Sequence, residues 1–80
     1  MSGKLFLKLD AEKLRHSHIL HLKQLFRSYP GGTPLTLEFL SENRLLGKIA
    51  VGGRWGVALV REFEQELRKL PYLITIQVQS

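Results

Sequence analysis

The sequence predicts an α+β fold, a two-layer sandwich in which two helices cover one face of a mixed β-sheet. Five segments alternate apolar and polar residues as strands do, and two have the 3.6-residue period of an amphipathic helix, in the order β-α-β-β-β-α-β. With 80 residues, 44% of them hydrophobic, residues 1–80 are predicted to form a single small domain. Right-handed crossovers place both helices on the same face, which gives the sheet a ferredoxin-like character.

The first strand is predicted over Lys4 to Leu9, where leucines occupy every second position. Asp10 is a good N-cap for a turn of helix at residues 11–13, and Ser17 could equally cap a helix that begins later. The pattern therefore leaves two alternative starts for the first helix.

The first helix organises the rest of the prediction, because its apolar positions recur on one side of the helical wheel. The side expected to be buried comprises Leu14, His18, Ile19, Leu22, Leu25, Phe26 and Tyr29. Pro30 ends the helix because it lacks the N–H donor that a continuing helix requires. Gly31 and Gly32 are expected to form the turn with positive φ that follows.

Two strands follow, over Thr33–Ser41 and Leu45–Val51, joined by a turn at Glu42 and Asn43. The faces that carry the apolar alternation comprise Leu35, Leu37 and Phe39 on the first strand and Leu45, Ile49 and Val51, with Gly47, on the second. Gly52 and Gly53 reverse the chain into residues 54–57, a short edge strand with Trp55 and Val57 on one side.

The helical period returns from Leu59 to Leu70, where the aligned apolar residues are Leu59, Phe63, Leu67 and Leu70. Glu64 and Arg68 form an i,i+4 pair in the favourable order. Pro71 ends this helix, and alternation from Leu73 to Gln79 predicts the last strand.

Composition limits the class of protein. Because cysteine is absent, the chain can form neither a disulfide nor a thiolate metal site, which suits a reducing cytoplasm. No apolar run approaches 18 residues and the first residues lack a secretory pattern, so we predict a soluble chain without membrane contact. Residues 1–3 are candidates for residues that were added ahead of the natural sequence.

Few residues could carry chemistry. Of the three histidines, His16, His18 and His21, only the last two are close helical neighbours, and no carboxylate lies at the spacing that a metal site needs. Asp10, the only aspartate, is assigned to helix capping. The glycines at 52, 53 and 56 match no phosphate-binding loop. We therefore predict no catalytic, metal or cofactor site and no small-molecule substrate.

The formal net charge of +5 allows weak contact with nucleic acid. The candidate phosphate contacts are Lys13, Arg15, Lys23 and Arg27. An RNA-binding sheet would expose aromatic residues on its central strands; Phe6 qualifies, but Leu45–Val51 supplies none. An auxiliary nucleic-acid-binding domain is therefore the second of two hypotheses.

Exposed apolar residues favour a protein partner, which is the first hypothesis. Leu20 falls opposite the apolar side of the first helix, among polar neighbours. Leu40 and Phe6 lie on the outer faces of their strands, where they could form an apolar patch or pack under a preceding domain. The predicted partner-binding residues are Leu20, Lys23, Arg27 and Leu40.

The chain also resembles the C-terminal region of the bacterial replicative DNA polymerase III α subunit, with cyanobacterial α subunits nearest. The order and spacing of six segments carry the resemblance: Lys4–Asp10, Leu20–Phe26, Tyr29–Gly31, Thr33–Leu35, Trp55–Val57 and Phe63–Leu67. In that family a strand, a helix ending near Pro-Gly, a strand after Thr-Pro and a final helix form a small module that follows the OB domain. Val60 departs from the pattern, because Ser or Thr is more typical as the cap of the second helix.

The resemblance implies a non-catalytic module of a larger, cytoplasmic DNA-directed DNA polymerase. The polymerase aspartates and the PHP metal ligands of the family lie far upstream, and nothing in this chain matches them. The C-terminal region of the family binds the τ subunit of the clamp loader. The first hypothesis then becomes attachment of the polymerase to τ and to other replisome proteins at the nucleoid.

Overall fold

The structure is a computed structural model that describes residues 3–51 and 56–79. Its elements are β1 (Lys4–Asp10), α1 (His16–Ser28), β2 (Pro30–Thr33), β3 (Leu35–Ser41), β4 (Arg44–Val51), α2 (Arg61–Arg68) and β5 (Leu73–Gln79). These elements form a mixed sheet and two helices, which confirms the predicted α+β class. The predicted strand at 54–57 lies partly outside the described residues, as do Gly52, Gly53 and Trp55.

The sheet has four strands in the order β4-β3-β1-β5. β1 pairs with β3 in parallel and with β5 antiparallel, and β4 pairs antiparallel with β3. The two parallel strands that α1 connects are therefore direct neighbours, whereas a split βαβ unit has another strand between them. β4 and β5 are the two edges, so the segment that contains α2 crosses the whole width of the sheet.

The core lies between the helices and one face of the sheet. Alternate residues of the two central strands are buried there, and each helix contributes its apolar side to the same cluster. The sheet residues in it are Leu5, Leu7, Leu9, Leu35 and Leu37, and the helix residues are Leu22, Leu25, Phe26, Phe63 and Leu67. Tyr29 and Phe26 meet Phe63 with ring centroids 5.3 Å and 6.3 Å away, so aromatic contacts join the two helices.

The start of α1 resolves the two open alternatives. Asp10 Oδ1 accepts a hydrogen bond from the Glu12 N–H at 3.0 Å and holds a separate turn at residues 11–13. The helix itself begins at His16, with Arg15 as its N-cap. Ser17 lies inside the first turn, so its prediction as a cap is wrong.

The segment after α1 is extended, and the predicted positive-φ turn at Gly31 and Gly32 is wrong. Pro30 and Thr33 instead form isolated bridges with Val57, and the Gly31 N–H donates to the Gly56 oxygen at 3.1 Å. A side chain at Gly31 would meet the Ala58 nitrogen at 2.6 Å, so the close approach of two backbones explains this glycine.

The start of α2 and the face of Leu45 in β4 also differ from the prediction. α2 begins at Arg61 rather than Leu59, because the helical hydrogen bonds start with the Glu64 N–H donating to the Val60 oxygen at 3.2 Å. Leu59 is therefore exposed and outside the helix. In β4 the register with β3 shifts between Phe39 and Leu40, so Leu45 lies opposite Leu40 and not on the face of Ile49 as predicted.

Candidate functional site

The outer face of α1 carries three of the predicted partner-binding residues. Leu20 is 56% exposed, as predicted, since it lies roughly opposite the buried Leu22 and Phe26 on the helix. Lys23 and Arg27 are exposed and one helical turn apart. A partner that reached this face would meet one apolar and two basic side chains.

An apolar groove with a cavity volume of about 500 Å³ lies beside this face, between α1 and strands β3 and β4. Its apolar lining includes Ile19, Leu22, Phe26, Leu37, Phe39 and Ile49. Lys23 and Arg27 also line the groove, and they are its charged residues in the part of the chain that the structure describes. The groove therefore combines an apolar floor with a positive rim.

β4 borders the groove and is an edge of the sheet. Seven of its eight residues are exposed, and Leu45, Leu46 and Ile49 each expose more than half of their surface. Arg44 and Lys48 are its charged residues, and it contains no acid. Among residues 3–51 and 56–79, the outer backbone groups of this strand have no ladder partner.

Leu40, the fourth predicted partner-binding residue, lies on the sheet face that the helices leave uncovered. It is half-buried and lies between Asp10 on β1 and Leu45 on β4. Leu20 and Leu40 therefore belong to opposite layers of the domain. Phe6 shares the face of Leu40 but is separated from it by four positions, about 13 Å along a strand, so the expected joint patch is absent.

The candidate phosphate contacts do not form one cluster. Lys13 lies in the turn before α1, Arg15 caps the helix, and Lys23 and Arg27 lie in its second half. Arg15 and Arg27 are twelve residues apart, which is about 18 Å along a helix axis. One phosphate could contact the second pair together, but the first two residues would require another part of a nucleic acid.

His18 and Tyr72 form a contact on the other side of α1. Their rings stack with centroids 4.5 Å apart, and His18 Nδ1 accepts a hydrogen bond from the Arg15 N–H at 3.0 Å. Tyr72 is 1% exposed, its hydroxyl has no hydrogen-bond partner among residues 3–51 and 56–79, and burial raises its pKa above the usual value. In the described ranges, no three His, Cys, Asp or Glu side chains are placed to share a metal ion.

Sequence reasoning missed β4 as a surface. The sequence predicts that Leu45, Ile49 and Val51 share a face, but it does not predict that this strand is an exposed edge of the sheet. The signal that could have indicated exposure is the combination of Leu45, Leu46 and Ile49 with two basic residues and no acid. Edge strands commonly carry such charges because they deter uncontrolled pairing.

None of the helices in the described residues has the length and apolar character to cross a membrane. No protein-family model matches the chain. Three curated proteins are similar to parts of it, and all are named DNA polymerase III subunit alpha. The protein of Chlamydia trachomatis serovar D is 43% identical over 44 residues, 55% of this chain and 4% of that protein. The protein of Chlamydia muridarum is 41% identical over 44 residues, with the same shares of each chain.

The protein of Chlamydia pneumoniae is 34% identical over 62 residues, which are 76% of this chain and 5% of the relative. The chain therefore spans only about one-twentieth of the length of these relatives. The similarity is to a short region of proteins named DNA polymerase III subunit alpha.

Proposed function

We propose that this domain is a protein-interaction module at the C-terminal end of a DNA polymerase III α subunit, where it attaches the polymerase to the clamp-loader τ subunit. The observation that carries the proposal is the exposed Leu20 face beside an apolar groove, on a chain similar to part of that subunit. The module works in the cytoplasm with other replisome proteins, and catalysis belongs to other parts of the larger chain.

The distribution of apolar surface supports this role. Small soluble domains rarely leave contiguous apolar patches uncovered unless a partner binds there. Here Leu20 on α1 and Ile49 on β4 are more than half exposed on the helix side of the sheet, and Leu45 is more than half exposed on the uncovered face. Such a surface can bury area against a protein, whereas nucleic acid would select for clustered cations and exposed aromatic residues.

A titration followed by NMR tests the proposal. The labelled domain is mixed with the C-terminal part of a cognate τ subunit, and separately with a short DNA duplex, at low and moderate salt. Localised amide shifts with τ that persist at moderate salt are the expected result. Shifts with DNA alone that vanish as salt rises would instead support the auxiliary nucleic-acid-binding domain, with contacts at Lys13, Arg15, Lys23 and Arg27.

Two variants then separate the two layers. Leu20→Glu is expected to keep the fold, because the side chain is exposed, and to weaken τ binding if the outer face of α1 takes part. Leu40→Glu probes the uncovered sheet face. Circular dichroism of both variants provides the control, since loss of the folded signal would make an affinity change uninterpretable as a contact.

A further inference from the structure

The geometry points to β4 as the docking edge for an extended acidic segment, which adds as a fifth strand and places alternate apolar side chains in the groove beside α1. This inference rests on the proposed partner-binding function. It names the surface that is used and the chemistry of the segment that is bound.

The outer side of β4 offers an unpaired edge in the described sheet. β4 is the outer strand of the described sheet and spans eight residues, long enough for a peptide to form several ladder hydrogen bonds. An added strand would lie about 4.8 Å from β4, and every second side chain would point to the helix side of the sheet. There it would lie next to Ile49, which is 54% exposed, and the groove.

Charge selects the occupant. The groove rim carries Lys23 and Arg27, and β4 itself carries Arg44 and Lys48. Glu38 is opposite Lys48 on β3, so an incoming acid would flank Lys48 from its open side. In a segment that alternates apolar residues with Asp or Glu, the apolar side chains would face the groove floor and the acidic side chains would lie beside Lys48 on the other face of the sheet. Lys23 and Arg27 at the groove rim add longer-range attraction for the acidic segment.

The same charges disfavour a second copy of this chain. Antiparallel pairing of two β4 strands would bring together two copies of Arg44 and of Lys48 and no carboxylate from either strand. Like charges placed opposite each other destabilise a strand pair. A heterologous acidic strand avoids this repulsion.

The test measures the affinity of the domain for the C-terminal part of a cognate τ subunit. Ile49→Glu, on the helix side of β4, is expected to weaken binding about tenfold or more. Val78→Glu is the matched control, because Val78 is 58% exposed at the same kind of position on the opposite edge strand β5. The affinity of the Val78→Glu variant for τ should stay within about twofold of the affinity of the unsubstituted domain.

A charge pair of variants adds a second readout. Lys48→Glu should weaken binding severalfold and reduce its dependence on salt, whereas Lys4→Glu, at an exposed position of β1 next to β5, should change neither. Equal effects of Ile49→Glu and Val78→Glu, or amide shifts confined to β5, would overturn the inference. A dimer of the free domain that Ile49→Glu dissociates would overturn it in favour of a second copy.

Absence of τ binding would contradict the proposed function. A synthetic peptide would then test the docking edge separately. The probe is an eight-residue peptide that alternates valine and glutamate, compared with a peptide in which lysine replaces glutamate. Shifts along Arg44–Val51 with the acidic peptide alone would support the docking edge. No shift with the acidic peptide, or equal shifts with both peptides, would overturn it.

Discussion

The two edges of the sheet, β4 and β5, have the same setting but different surfaces. Each lies beside a helix with a groove between them, yet the groove at β4 measures about 500 Å³ and the groove at β5 about 240 Å³. The larger groove has a basic rim, whereas Arg61 and Glu64 give the smaller one both charges. β5 itself, Leu73–Gln79, has no charged residue. The two edges thus have similar architecture, but among the described residues only the β4 edge has a uniform positive charge that could select an acidic partner.

The two edges also differ in how they are attached to the core. On β5, Leu73 and Ile76 are half-buried and pack on the buried cluster, whereas β4 contributes only Val51 in that way. Tyr72, just before β5, is fully buried. We call the part of the domain around β5 and α2 the β5 half, and the part around β3 and β4 the β4 half. The β5 half is therefore expected to supply most of the stability of the fold, and the β4 half most of the surface that a partner can reach.

The largest predicted effect tests this division directly. Phe63→Ala in α2 should lower the free energy of unfolding by about 3–5 kcal/mol, because the ring is 1% exposed and contacts Phe26 and Tyr29. Phe39→Ala, on the groove side of β3, is the matched control and should cost about half as much, since Phe39 is only half-buried. Urea denaturation of both variants measures the difference. Equal losses would show that the halves contribute equally.

The second prediction concerns the joint between the halves, where β2 meets Val57. Gly31→Ala should destabilise the fold by about 1–3 kcal/mol, because its Cβ would meet backbone atoms of Val57 and Ala58 within 2.7 Å. Gly32→Ala is the control, since no atom of the described residues lies within 4 Å of the position that its Cβ would take. Thermal denaturation should rank Gly31→Ala well below Gly32→Ala, and equal melting temperatures would contradict the close approach.

A smaller effect is expected at Tyr72, which stacks on His18 and so links α1 to the β5 half. Tyr72→Phe keeps the ring and removes a buried hydroxyl that has no hydrogen-bond partner in the described part of the chain, so stability should be unchanged or higher by up to about 1 kcal/mol. The experiment is urea denaturation at neutral pH. A loss above 1 kcal/mol would reveal a hydrogen bond to the hydroxyl.

Alkaline pH provides a second readout of Tyr72. Burial raises the pKa of Tyr72 above 10.0, so the folded state holds this proton more tightly than the unfolded state does. The resulting stability is complete below pH 10 and is lost as the pH rises through the folded-state pKa. The stability of Tyr72→Phe should fall less steeply above pH 10 than that of the unsubstituted protein.

The smallest predicted effect is at the turn that attaches β4 to β3. Glu42 and Asn43 both have positive φ, 50° and 66°, as a two-residue type I′ hairpin requires. Asn43→Gly should stabilise the domain by about 0.5 kcal/mol and slow amide exchange in β4, while Asn43→Ala should do the opposite by about 1 kcal/mol. Unchanged exchange in β4 would show that the turn does not limit the opening of this edge.

Much of the fold follows from the sequence because local patterns and global packing agree. The alternation in β1 and β3 identified the buried leucines, Pro30 identified the end of α1, and the predicted Glu64–Arg68 pair is present at 3.2 Å. These features depend on neighbours along the chain, which the sequence displays.

The errors occur where distant segments decide. Gly31 is extended because Val57 and Ala58 lie against it, and Leu45 changes face because of a register shift against β3. The candidate site shows the same limit. Exposure of Leu20 could be predicted from one helix, but the exposure of Ile49 depends on strand order, which places β4 at an edge. The C-terminal position, the τ contact and the cyanobacterial kinship stay predictions.

The pairing of β1 with the last strand sets the order in which the domain can assemble. Residues 4–51 contain β1, β3 and β4 and can form three adjacent strands, but one side of β1 stays without a ladder partner until β5 arrives. Closing Lys4 against Gln79 joins residues 75 positions apart, and such long-range pairing slows folding. During this interval the free side of β1 is a second place where a foreign strand could insert. The kinetic hazard of this fold therefore lies at its centre, on a strand whose backbone is paired on both sides in the finished domain.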